Sequence, residues 1–512
     1  MQRLRALRGW LSGLNARGLF VAGASPLDGR VDLIVIAFAA LWQLFSGYVA
    51  VETGHFHYDQ AYFYEQSIRV AQLLELPAYG PFISGREIGP MTPGGMLWVA
   101  YAPPFFFTPD PRAGHAWIVF LAFCGAVLFD RAQKRLGVAP VVRLATLALY
   151  LTSAAHARNQ ATFWNGDMFH FLAPALLYLA SHIATAPATS ARWCAAFGAA
   201  AALGLQTHIS AGMAIALCLA LVALVAEARP PVRALTLGAL FFCAMYAPYL
   251  VHEARHGWPN AALFAEGIPR GGRPGFAFVR ALWVPVFFTS HLEGPWALAE
   301  LGKLDWAVWL AAASAGGALA LGLVGLVTRH PMKVLGLLAW LGAPFFFLVT
   351  RRDYFDHYVL CVVPFGCIFA GAGLGWLLAQ RGWRRTLGLC YLVFTVSTGA
   401  ALLLAHLHRN VLWPEHPYDG QTVAAQLAET RVALSRGAPH PSPNDEKHER
   451  ERERSFVLAT LAHRIDGKEL RFAVDGKTCS IDIRLTGFSD QKPWDQVKSL
   501  PRVGDNTGWR CD

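Results

Sequence analysis

The sequence predicts a mainly α-helical, polytopic membrane protein with about eleven transmembrane helices and a small C-terminal α/β domain outside the membrane. Three observations predict it. Of 512 residues, 54% are hydrophobic and only 15% are charged, where a soluble domain carries about 25%. Apolar runs near the length of a membrane helix, roughly 20 residues or somewhat fewer, recur from Val31 to about Ala405. Lys and Arg gather in short segments between those runs, in the alternation of positive-inside topology.

The basic segments set the order. Arg3, Arg5, Arg8, Arg17 and Arg30 precede the first run, 31–50, so the N-terminus is expected in the cytoplasm. Met1 to Arg30 does not read as a cleaved signal, because a full span follows it and no small-residue cleavage site stands out. Residues 51–92 then fall outside. The stretch 93–107, PGGMLWVAYAPPFFF, is apolar but short and Pro-rich, which suits a re-entrant or surface-lying segment better than a span. The next run, 114–130, ends at DRAQKRLG, read as a basic inner loop. Runs follow at 139–155, 168–183, 193–206, 210–227, 232–250, 305–328, 333–350, 359–380 and 385–406. Residues 251–304 make a long outer loop. Counting 93–107 as a span would put every later basic loop outside, so the charge distribution selects the odd count.

The chain divides into a transmembrane domain, 1–406, and a polar domain, 407–512. DEKHERERER at 445–454 reads as a solvated helix or linker. ELRFAVDGKTCSIDIRL alternates apolar and polar residues around an Asp-Gly turn, the pattern of a β-hairpin. Seven of the nine cysteines lie in apolar runs as small core residues. Cys479 and Cys511 lie in the tail. Outside the cytoplasm they could form a disulfide; the alternative is two free thiols.

A net charge of +10 would suit nucleic acid, but its carriers sit in loops between apolar runs, so no nucleic-acid partner is expected. There is no P-loop, dinucleotide fingerprint, zinc-finger spacing or fixed-period repeat. The ionisable residues instead cluster in the segments assigned to the outer face. They include Asp59, Glu65 and Arg69; Arg158, Asn165 and Asp167; Gln206-Thr207-His208; Glu253, Arg270 and Arg273; and RRDYFDHY at 351–358. A transporter more often carries such groups mid-span. A site at the interface suits a lipid headgroup. Arg matches phosphate with paired hydrogen bonds. A shielded carboxylate can take the proton of an acceptor hydroxyl or stabilise positive charge on a sugar.

In order and topology the chain resembles the GT-C membrane glycosyltransferases. It is most similar to the family 39 group, which includes protein O-mannosyltransferases and the lipid A aminoarabinose transferase. The likeness runs over about 31–406, through YDQAYFYEQSIRVAQ, GPMTPGGMLWVAYAP, FWNGDMFHFLAPALLYLA, GLQTHISAG and YFDHYVLCVVPFGCIFAGAGLGW. It implies a GT-C fold, a sugar donor on polyprenyl phosphate, a glycan, lipid or protein acceptor, and transfer of a hexose or pentose at the outer face of the inner membrane. It also implies an essential Asp in the first outer loop, which maps onto Asp59. Relatives often carry Asp-Glu there, and this chain has Asp59-Gln60. Glu65 or Asp167 would have to supply any second acid.

Each candidate has a plainer reading beside it. Asp59, as catalytic base or acceptor orienter, competes with a helix N-cap; Asp167, as a substrate-binding acid, competes with a cap for the helix that follows. Arg270, Arg351 and Arg352 are expected to bind phosphate, and the alternative for the last two is interfacial snorkelling. His208 competes with a hydrogen-bonded loop histidine, and His357 and Tyr358 with interface anchors. His55 and His57 flank Asp59, but two His and one acid in a loop are a weak set for a divalent metal, and no metal ligand is assigned. Two other readings stay open: a transporter or flippase of lipid-linked sugars, and a polysaccharide polymerase or ligase.

Overall fold

The computed structural model describes residues 26–53, 58–74, 76–82, 90–108, 111–153, 156, 163–186, 190–226, 229–266, 305–327, 333–350, 356–407, 470–474, 477–481 and 509–511. Among these the chain is a bundle of apolar helices. α1 (Pro26–Thr53) and α2 (Tyr58–Leu73) are followed by a short antiparallel hairpin, β1 (Tyr79–Phe82) and β2 (Met91–Pro93), and by the one-and-a-half-turn α3 (Met96–Tyr101). Then come α4 (Pro111–Arg135), α5 (Pro140–Thr152), α6 (Phe169–Thr185), α7 (Ala191–Thr207), α8 (Ala211–Val225), α9 (Val232–Met245), α10 (Ala247–His256) and α11 (Pro259–Glu266). α12 (Asp305–Val327), α13 (Lys333–Thr350), α14 (Val363–Ala379) and α15 (Trp383–Leu407) complete the bundle.

Each expected apolar run is helical. Among the described residues, four helical stretches, Gly29–Val51, Arg112–Arg135, Asn165–Thr185 and Val359–Ala379, can cross a membrane by length and composition, and a fifth if the α9–α10 pair is one span bent by 49°. Two details differ from the sequence reading. The 232–250 run breaks at Tyr246, two residues before Pro248, because proline lacks the N–H that would continue the helix and its ring clashes with the preceding turn. DRAQKR is not a loop but the last turns of α4, ending in the Lys134 and Arg135 that a helix C-terminus favours. The segment 93–107 is not a span: it folds as the end of β2, α3 and a 3₁₀ turn, Pro103–Phe106.

α14 is the axis of the bundle. Its VPFGCIFAGAGLGWLLA sequence is buried from Val363 to Gly375. The glycines in it allow close crossings on two sides. A Cβ on Gly371 would lie 2.1 Å from the Thr146 hydroxyl of α5, and one on Gly373 would lie 2.1 Å from the Leu321 carbonyl oxygen of α12. Small residues let backbones approach where lipid supplies no hydrophobic drive between helices.

At one end of the bundle an ion network joins α1, α4 and α5. The Arg143 guanidinium, 1% exposed, donates to both oxygens of Asp130 at 2.8 and 2.7 Å, and to Asp32 at 2.6 Å. Asp32 also accepts from Arg131 and Lys134 at 2.7 and 2.5 Å. In the tail, β3 (Leu470–Val474), β4 (Lys477–Ile481) and β5 (Trp509–Cys511) form an antiparallel sheet. β3 and β4 pair from Leu470 with Ile481 to Val474 with Lys477, the strand pairing that the alternation predicts.

Candidate functional site

The other end of the bundle gathers the described segments that carry Asp59, Asp167, His208, His357 and Tyr358. α2 brings Asp59, its second residue. A carboxylate in a first turn is favoured by the helix dipole, so Asp59 lies inside the helix rather than before it. α2 is pinned by the aromatics one turn further on. Phe63 meets the Trp98 ring of α3 edge-on at 4.9 Å, and Tyr64 stacks on Phe163 at 4.3 Å and 10°. The side chain of Asp59 lies outside the described residues, as do those of His357 and Tyr358. His55, His57, Arg270, Arg351 and Arg352 lie outside them entirely.

Phe163 leads directly into a 3₁₀ turn, Asn165–Met168, that starts α6. Asp167 in that turn is 1% exposed. Its carboxylate accepts the Trp164 N–H at 2.7 Å, and its own N–H donates to the Trp164 carbonyl at 3.1 Å. Asp167 therefore closes the turn on itself, in the capping role that competed with a site role. The Trp164 carbonyl also accepts the Tyr101 hydroxyl at 2.5 Å. Burial, with the Asp167 charge adding to it, raises the pKa of Tyr101 well above the usual tyrosine range, so the hydroxyl stays protonated and donates.

Asn165 reaches across to the end of α7, its amide donating to the Thr207 carbonyl at 3.3 Å. There His208 leaves the helix in extended backbone. Its Nδ1 accepts the Ser210 N–H at 3.1 Å and lies 2.8 Å from the Ser210 hydroxyl. A neutral ring bonded this way carries its proton on Nε2. The Ser210 carbonyl in turn lies 3.1 Å from the Cys361 thiol, in the 3₁₀ turn Asp356–Val362. That turn, which contains His357 and Tyr358, packs on the Asn165–Met168 turn and on α6 and α8. The structure thus brings together the segments of Asp167, His208, His357 and Tyr358, and packs α2, with Asp59, beside them.

Several polar residues in this region hold the scaffold. Gln206, fully buried, accepts the Met96 N–H at 3.1 Å and donates to the Met245 carbonyl at 2.9 Å. It joins the start of α3, the end of α7 and the break between α9 and α10. Glu253, also fully buried, accepts the Tyr79 hydroxyl at 2.5 Å and the Asn260 and Ala261 N–H groups at 3.3 and 3.0 Å. It caps α11 and anchors β1. The Asn260 side chain pairs with both backbone groups of Met91 in β2, at 2.8 and 3.0 Å. The sequence signal for Gln206 and Glu253 was real, isolated polar groups beside apolar runs, but their hydrogen bonds are spent on architecture. Among the described residues no three His, Cys, Asp or Glu side chains are grouped as a metal would need.

No protein-family model matches the sequence, and no curated protein matches it. Among solved structures it is similar to ArnT from Cupriavidus metallidurans in the apo state, at 14% identity and a TM-score of 0.50, covering 82% of each chain. It is also similar to the same protein bound to undecaprenyl phosphate, at 14% identity and a TM-score of 0.48, over 86% of this chain and 78% of that one. The arabinofuranosyltransferase AftD from Mycobacteria matches at 15% identity and a TM-score of 0.42, over 79% of this chain and 29% of that one. The chain is a multi-pass membrane protein with the GT-C fold seen in ArnT.

Proposed function

We propose that the protein is a glycosyltransferase that moves a sugar from a polyprenyl-phosphate donor to an acceptor at the outer face of the inner membrane. The observation that carries this reading is the convergence of α2, the Asn165–Met168 turn, the His208 turn and the Asp356–Val362 turn at one end of a GT-C fold. These are the segments whose motifs resemble the family in sequence.

In the reaction the bond between the anomeric carbon and the phosphate oxygen breaks, and the acceptor oxygen forms its bond to the same carbon. The polyprenyl phosphate leaves with the electron pair. The acceptor proton passes to a carboxylate, which we assign to Asp59; as an orienter, the same group would hold the hydroxyl in line. Arg351 and Arg352, with Arg270 from the long loop, are assigned to the phosphate, whose leaving charge a guanidinium stabilises through paired hydrogen bonds. His208, His357 and Tyr358 are assigned to the sugar or acceptor. Asp167 stands behind them and holds its turn. With Gln60 next to it, Asp59 works without an adjacent second acid.

The test is Asp59→Asn in purified, reconstituted protein given radiolabelled lipid-linked sugar. Removing a general base lowers the rate by about 10²–10⁴-fold, with donor binding retained. Transfer at the wild-type rate would sink the assignment of Asp59. Movement of the labelled lipid across the bilayer with no transfer to any acceptor would replace the enzyme with a flippase.

A further inference from the structure

A basic pocket lies at the end of the bundle away from the candidate site. It is lined by Arg131, Lys134 and Arg135 at the end of α4, and by Tyr178, His182 and Thr185 at the end of α6, and holds about 520 Å³. α6 begins at the Asp167 turn and ends at this pocket. Its 17 residues rise about 26 Å, close to the thickness of a bilayer's hydrocarbon core. The pocket and the candidate site therefore face opposite membrane surfaces.

The charge around the pocket is unbalanced. Arg131 and Lys134 share Asp32 with Arg143, and Arg143 also takes Asp130, so three cations meet two carboxylates. Arg135 is exposed and adds a fourth cation at the rim. On the α6 side the His182 ring stacks on Trp193 at 3.8 Å, and the Arg192 guanidinium lies over the Trp193 ring, 4.7 Å from its centre. The six lining residues include no acid and offer several donors, among them two guanidinium groups, an ammonium and a phenol. Arg and Lys recognise phosphate oxygens through charge-assisted hydrogen bonds. Tyr and Trp beside them are the residues that settle at the level of lipid headgroups, and basic pockets between membrane helices collect such headgroups.

We propose that this pocket binds a phosphate group, carried by an anionic lipid of the leaflet opposite the candidate site. The lipid would clamp the ends of α4 and α6 and compensate the surplus positive charge. The proposal is independent of the transfer reaction, so Asp59→Asn leaves it untouched.

The test uses the full-length protein, stripped of lipid in detergent. It is compared in micelles doped with phosphatidylglycerol, in micelles doped with phosphatidylcholine, and in phosphatidylcholine micelles with inorganic phosphate. A ligand that binds only the folded state raises the melting temperature. The expected result is a rise of a few degrees with phosphatidylglycerol and no rise in the other two. In the double variant Arg135→Gln, Arg192→Gln, both exposed positions, the lipid-free melting temperature stays at the wild-type value and most of the phosphatidylglycerol rise is lost. An equal rise with phosphatidylcholine, or a rise the double variant keeps, would overturn the site. An equal rise with inorganic phosphate would overturn the lipid as its carrier.

Discussion

The carboxylate of Asp167 accepts the backbone N–H of Trp164 at 2.7 Å, and that one bond sets the turn from which α6 leaves the candidate site. Asp167 can therefore be removed in two distinguishable ways. Asp167→Ala takes the acceptor from the partly buried Trp164 N–H, at a cost of up to about 1–3 kcal/mol, and should lower the melting temperature. Asp167→Asn keeps an oxygen acceptor and should melt near the wild-type value. If Asp167 also completes the site for Asp59, the Asn variant loses transfer while its stability holds. Thermal melts read beside transfer rates separate the two roles.

Arg143 and Asp130 are both 1% exposed and bonded through two parallel contacts. Removing one partner of a buried pair leaves an uncompensated charge and costs about 3–5 kcal/mol. Arg143→Leu should thus abolish the folded species in detergent or lower its melting temperature sharply. Arg143→Leu combined with Asp130→Leu should recover much of the loss, since the stranded charge goes with it. The residual deficit would then measure what Asp32 loses.

His156 is buried between Gln43, whose amide lies 2.7 Å from its Nε2, and the His170 ring, with centroids 4.7 Å apart. Burial, and secondarily His170, push its pKa well below 6.5. A histidine depressed in the folded state is neutral there while the unfolded chain protonates near its ordinary value. Its contribution is therefore present above about pH 6.5 and is lost as the pH falls below that value. The melting temperature should drop between about pH 7.5 and about pH 5.5, and His156→Gln should flatten that drop. An unchanged slope in the variant would assign the acid sensitivity elsewhere.

Cys479 and Cys511 are directly opposed on adjacent antiparallel strands. Opposed residues on such strands have Cα separations of about 4.5–5.5 Å, inside the range that a disulfide bridges. If the tail lies outside the cytoplasm, the two thiols should label with maleimide only after reduction. Labelling of both without reductant, in material from an oxidising envelope, would count against the bridge and against the tail's location together.

The sequence by itself determined the bundle. Runs such as 31–50 and 359–380 must become helices because a bilayer leaves no other partner for their backbone groups. Period-two alternation was enough to place the paired tail strands β3 and β4, because alternate residues of a strand face opposite sides of its sheet. The sequence also pointed to the polar segments at one end, since an isolated acid or histidine beside an apolar run has a strong reason to be there. Only the tertiary structure decided what those groups do. Asp167, Gln206 and Glu253 read as site residues or loop polar groups; in the structure the Asp167 carboxylate accepts the Trp164 N–H, and Gln206 and Glu253 tie neighbouring segments together. The Asp130–Arg143 pair did not show in the sequence, where Asp130 opened a basic loop and Arg143 lay in the next apolar run, because spacing along a chain says nothing of which side chains will meet. The same holds for helix–helix crossings such as those at Gly371 against Thr146 and Gly373 against Leu321, which no one-dimensional pattern carries.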